Sequence, residues 1–144
     1  MDKIKQLFLL ALGSLTLYSS AAVYEKTVFA EWDKPSINVF YVLPQEVNDQ
    51  TEILFIIHGN SRNADGYIEV WANHAKDKNI ILIAPEFSRS KFSNYNTLQM
   101  SSSTGKILKN RDLYLNNSID IMFNHYKNLF GVKTDLYKIY GHSG

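Results

Sequence analysis

ILFIIHGNS, residues 53–61, is five consecutive apolar residues that give way at once to His58, Gly59, Asn60 and Ser61. So short a run with no polar position fits a strand covered on both faces, as in the interior of a parallel sheet. The break at His58 marks the strand's carboxyl end, which is where open α/β sheets place their ligand sites. A second run of the same kind, residues 80–84, is stopped by Pro85.

Between the two runs the period changes. Over residues 64–78, Tyr67, Val70, Trp71, His74 and Ala75 recur at helical spacing, with Asn63 or Asp65 available as N-cap. A second helix carries the stripe Ile119, Met122, Phe123, Tyr126, Leu129 and Phe130, with Gly131 placed as its C′ residue and Lys127 in the last turn. Residues 136–140 form a further strand. Upstream, residues 26–31 and 37–43 are rich in Val, Phe, Tyr and Ile and are separated by Trp32-Asp33-Lys34-Pro35-Ser36, the pattern of a hairpin ended by Pro44. The order β-β-β-α-β-α-β predicts an α/β sheet joined by right-handed crossovers. Residues 86–112 have no period, and connections of that length are often functional.

The amino terminus reads as an export signal. Lys3 and Lys5 precede an apolar core over residues 7–18, and Ser19-Ser20-Ala21-Ala22 suits cleavage after Ala21 or Ala22. The core is shorter than the roughly 20 residues that span a bilayer; an uncleaved anchor is the alternative. Residues 1–22 are thus expected to be a signal peptide and 23–144 the folded part, periplasmic or secreted, with no stable membrane insertion after cleavage. The chain has no Cys, so no disulfide framework accompanies export. The 15 basic and 14 acidic residues of the whole chain fall to thirteen of each without Lys3, Lys5 and Asp2. That balance gives no reason to expect nucleic acid as a partner.

Two strand ends carry the candidate chemistry: His58-Gly59-Asn60-Ser61 and Gly141-His142-Ser143-Gly144. Glycines flank a serine where the turn is too tight for neighbouring side chains, and the next residue's N–H then faces a developing oxyanion. In this pattern Ser143 is the nucleophile, and the N–H groups of Asn60 and Gly144 are the oxyanion donors. His58, Gly59, Gly141 and His142 shape the two loops. Together the two motifs resemble the oxyanion loop and nucleophile elbow of the α/β-hydrolase superfamily. Arg62-Asn63-Ala64-Asp65-Gly66-Tyr67, then Ala84-Pro85-Glu86-Phe87-Ser88, then Tyr95-Asn96, look like its secreted poly(3-hydroxybutyrate) depolymerase and feruloyl-esterase-like carboxylesterases.

That resemblance covers roughly residues 50–144. It implies the N-terminal half of an α/β-hydrolase fold, ending at the nucleophile elbow. It also implies a serine esterase acting through an acyl-enzyme on small or polymeric esters, without a cofactor. The superfamily places the triad acid and His after the nucleophile in chain order, so both are expected beyond residue 144. The alternatives are a truncated or decayed non-catalytic remnant, an exported binding domain on the same scaffold, or a protein tethered by an uncleaved signal. The polypeptide is expected to be unstable alone, because its sheet would end on the strand leading to Ser143.

The remaining signals are weaker. His74 falls on the apolar stripe of the first helix and reads as a core or boundary residue; His125 reads as solvated. Glu86 reads as ordering a loop through a hydrogen bond, with substrate contact as the alternative. Phe92, Tyr95 and Met100 would line a pocket or pack the long loop. Thr104-Gly105-Lys106 lacks the upstream Gly and the Ser/Thr of a phosphate loop. No His, Asp or Glu set has metal-ligand spacing, so no metal is expected. Asn116-Asn117-Ser118 matches the glycosylation triplet at a helix start.

Overall fold

The computed structural model describes residues 24–75 and 77–142. The signal-peptide expectation, Ser143 and Gly144 lie outside the described residues. The elements are β1 (Glu25–Phe29), β2 (Ile37–Val42), β3 (Glu52–Ile57), α1 (Ala64–Ala75), β4 (Ile80–Glu86), α2 (Ser118–Phe130) and β5 (Tyr137–Gly141). They follow the expected order and make one five-stranded sheet, β1-β2-β4-β3-β5. β1 and β2 are an antiparallel hairpin, β2 joins β4 antiparallel, and β3 runs parallel to both β4 and β5.

The two apolar runs are the central strands, and alternation divides their side chains between two cores. Ile53, Phe55, Ile81 and Ile83 enter one core with Met122, Phe123 and Tyr126 of α2. Ile56, Leu82 and Ala84 enter the other with Ala64, Ile68 and Ala75 of α1. The helices therefore lie on opposite faces. Burying each large apolar side chain contributes roughly 1.5–3 kcal/mol, and a one-residue slip would reverse every one of them.

α1 keeps part of its expected face: Ala75 is buried, and Tyr67 and Trp71 pack partly buried against the core. The other buried residues are Ala64, Ile68 and Ala72, while Val70 is 62% exposed and His74 is also exposed. Small alanines let the helix approach the sheet closely, and the bulky column turns towards β5. There Trp71 meets Tyr140 at 4.8 Å between ring centroids. The Asn63 carbonyl accepts from the Tyr67 N–H at 3.3 Å, while the Asp65 carboxylate accepts from the Gly66 N–H at 2.9 Å. In α2, Leu129 is exposed rather than on the buried stripe. His125 is half-buried with its ring 5.1 Å from Phe29, not solvated as expected. Gly131 ends α2 at φ 69°, with its N–H directed to the Lys127 and Asn128 carbonyls.

Pro85 lies within β4 instead of stopping it, paired in register with Val39. β3 pairs with β4 only as far as Ile83, so at Pro85 one flank of the strand is an edge and the missing N–H costs no ladder bond. β5 is paired on one side, to β3. From Lys138 onward its residues are exposed, with Ile139 at 55%.

Candidate active site

The parallel register of β3 and β5 sets Ile57 opposite Gly141. The 58–61 loop and the end of β5 at Gly141 therefore leave the sheet at the same level, on neighbouring strands.

His58 is 1% exposed and both ring nitrogens are engaged. The Phe87 N–H lies 3.0 Å from Nε2, and Nδ1 lies 2.9 Å from the Gly59 carbonyl. An amide can only donate and a carbonyl only accept, so the ring is neutral with its proton on Nδ1. Burial lowers its pKa below the usual histidine value, and the nearby Arg62 charge acts in the same direction. The Tyr95 hydroxyl donates to the His58 carbonyl at 2.9 Å. Burial pushes the Tyr95 phenol up to about 12. The ends of β3 and β4 and the short helical turn Tyr95–Thr97 are thereby tied together around one ring. With both nitrogens occupied, His58 has no free base for proton transfer.

The next four residues turn sharply, the Arg62 N–H donating to the Gly59 carbonyl at 3.1 Å. Among the described residues no hydrogen bond engages the Asn60 N–H. Arg62 has φ 61°, a left-handed conformation uncommon for a residue with a side chain. The residue is 7% exposed, and its guanidinium lies 4.4 Å over the Tyr95 ring. Nη1 donates to the Phe87 and Phe92 carbonyls at 2.6 and 3.0 Å, while Nε is buried without a partner. From the other side, Arg89 Nη2 donates to the Asn60 carbonyl at 2.6 Å. Beside the loop lies a cavity of about 80 Å³ lined by Asn60, Arg62, Ser93, Asn94, Asn96, Thr97 and Ser103.

A second cavity, of about 190 Å³, opens at the end of β3 and is lined by Ile57, Phe87, Tyr95, Leu98, Leu115, Ser118 and Ile119. Its one aliphatic hydroxyl, Ser118 Oγ, is buried without a partner. Phe92 and Tyr95 of the long loop are buried, and Met100 is 39% exposed. Glu86 accepts from Asn38 Nδ2 at 2.6 Å, which joins β4 to β2. His142 is exposed, its Nδ1 3.4 Å from the Tyr67 hydroxyl. Gly141 sits at ordinary distance from its neighbour, 3.8 Å from Ile57 Cβ to an added Cβ. His74 and His125 lie on the helices, away from the loops. Among the described residues no three His, Asp or Glu side chains cluster as metal ligands, and no helix is long and apolar enough to cross a membrane.

Sequence patterns place His58, Asn60 and Glu86 at their strand ends. Arg62 was legible only as part of a family-like stretch, and Arg89 was not singled out at all. The available signal was a lone arginine between small polar residues, directly before a helix.

No family model matches the chain, and no curated protein matches it significantly. Solved structures do. Poly(aspartic acid) hydrolase-1 from Sphingomonas sp. KT-1 superposes with a TM-score of 0.73 at 33% identity, over 83% of this chain and 46% of that one. The poly(3-hydroxybutyrate) depolymerase of Bordetella parapertussis gives 0.69 at 16% identity, over 83% and 42%. An acetyl xylan esterase from Aspergillus awamori gives 0.58 at 16% identity, over 82% and 42%. The chain thus spans less than half the length of each of these proteins. The chain has an α/β-hydrolase-type fold, similar to part of each of these proteins.

Proposed function

We propose that this chain supplies the nucleophile and oxyanion side of a serine hydrolase acting on carboxylic esters. The observation that supports this is the Ile57–Gly141 register, because it sets the end of β5, which leads in sequence through His142 to Ser143, beside the end of β3, which leads into the Asn60 loop. In this reading Ser143 Oγ attacks the ester carbonyl carbon, passing its proton to a histidine base. The N–H groups of Asn60 and Gly144 hold the tetrahedral oxyanion. The C–O bond then breaks, the alcohol leaves with the proton, and water repeats the sequence to free the acid.

His58, Gly59, Gly141 and His142 are assigned in this reading as loop-shaping residues. No residue of 1–144 is assigned as general base or triad acid. The 190 Å³ apolar cavity would receive part of the substrate. Two of the similar proteins are named for action on poly(3-hydroxybutyrate) and acetyl xylan, both esters, which supports an ester of a small or polymeric compound; the other is named for poly(aspartic acid), a polyamide. We also assign residues 1–22 as an export signal; N-terminal sequencing of exported protein should start at Ala22 or Val23.

The test uses protein expressed from its whole gene. A fluorophosphonate probe should label it, and Ser143→Ala should abolish labelling and lower ester hydrolysis by roughly 10⁴–10⁶-fold. Undiminished labelling of that variant would remove Ser143 from the mechanism.

A further inference from the structure

Three lysines pair with acids among the described residues: Lys34 with Asp33 at 2.9 Å, Lys127 with Asp135 at 2.5 Å and Lys138 with Glu52 at 2.7 Å. The two arginines at the 58–61 loop do not. Among the described residues neither Arg62 nor Arg89 has a carboxylate oxygen within 4.0 Å. Arg62 is also buried, with one nitrogen lacking any partner. Burying a guanidinium without a counter-charge is costly. Its two carbonyl partners offset part of that cost through Nη1 alone. The cost falls at a particular place, the wall of the polar cavity shared with Asn60. All seven lining residues of that cavity are polar and none is acidic. Its volume of about 80 Å³ exceeds that of two water molecules at about 30 Å³ each, which is room for a carboxylate.

We propose that Arg62 and Arg89 form a carboxylate subsite beside the Asn60 loop, so that the substrate carries a negative charge close to its scissile acyl group. This rests on the reading of that loop as the oxyanion side of the site. A planar carboxylate suits guanidinium donors, and the surrounding Asn, Ser and Thr side chains supply further hydrogen bonds. The substrate provides the counter-charge that the fold withholds.

The test is binding of acetyl-triaspartyl amide against its uncharged counterpart acetyl-triasparaginyl amide, by calorimetry at low salt, on protein expressed from its whole gene. The aspartyl peptide should bind at least roughly tenfold more tightly, and more weakly as salt rises. Arg89→Met, at an exposed position, should weaken it roughly tenfold and leave the asparaginyl peptide unchanged, as loss of a charge-assisted bond requires. Equal affinity for the two peptides, binding of neither, or an equal loss for both in Arg89→Met overturns the proposal. Binding does not need Ser143. Retained preference without fluorophosphonate labelling therefore rejects the serine mechanism alone, and labelling without preference rejects the subsite alone.

Discussion

Replacing His58 by leucine tests whether the imidazole joins the ends of β3 and β4. The substitution roughly keeps the buried volume and removes both ring nitrogens. The Phe87 N–H, 3.0 Å from Nε2, would be left in an apolar setting without an acceptor, which costs about 1–3 kcal/mol. The Gly59 carbonyl loses the Nδ1–H donor but keeps the Arg62 N–H at 3.1 Å. That side loses one bond of about 0.5–1.5 kcal/mol and no satisfied state. The expected total is about 1.5–4.5 kcal/mol. With a urea slope of about 1.5 kcal/mol per molar, the unfolding midpoint should fall by at least about 1 M. His58→Gln sets the comparison, since its amide oxygen reaches the place of Nε2 and restores the acceptor for Phe87. It should lose only about 1 kcal/mol, the smaller of the two effects. A loss below about 1 kcal/mol for leucine, or equal losses for leucine and glutamine, would refute the reasoning.

Three further outcomes are expected. Because burial lowers the His58 pKa in the folded state, the unfolded chain binds more protons as pH falls below the ordinary histidine value of about 6.5. Stability by urea unfolding should then be full above that value and decline from pH 7.5 to 5.5, with a flatter dependence in His58→Gln. Gly131→Ala should cost about 1–2 kcal/mol in the same measurement, since an added Cβ meets nothing within 4 Å and the whole penalty comes from φ 69°. Residues 23–144 expressed alone should bind a hydrophobic dye and aggregate, because β5 exposes Ile139 and an unpaired edge beside Trp71 and Tyr140; reversible cooperative unfolding would contradict that.

Much of the fold was legible because burial on both faces leaves a plain mark. β3 and β4 are the runs without a polar residue, and the hairpin and Gly131 cap follow from turn chemistry. The α1 face was legible only in part. Tyr67, Val70, Trp71 and His74 keep helical spacing as faithfully as Ala64, Ile68, Ala72 and Ala75, and hydrophobicity favours the bulky set. What decides is the approach distance to the sheet, which only the assembled layers fix. Pro85 misleads for a related reason: proline forbids a ladder bond, and whether one is needed depends on where β3 stops pairing. The strand order β1-β2-β4-β3-β5 is likewise a matter of tertiary pairing.

At the site, the glycine-bearing loops announce themselves because tight turns restrict residue type, whereas Arg62 does not. A near-neutral charge balance excludes a broad cationic surface, yet it says nothing about two guanidinium groups converging on one loop. In sequence Arg62 and Arg89 are 27 positions apart, and either reads as an ordinary surface residue. Only the ends of β3 and β4, brought together by His58 and Tyr95, place both against Asn60. A structural role alone would not explain the missing acid: Nη1 anchoring of the Phe87 and Phe92 carbonyls needs donors, not an unneutralised charge. The cation is costly to the fold wherever it is buried, so its position against the proposed oxyanion donor, with no described carboxylate to quench it, is what a negatively charged substrate would exploit.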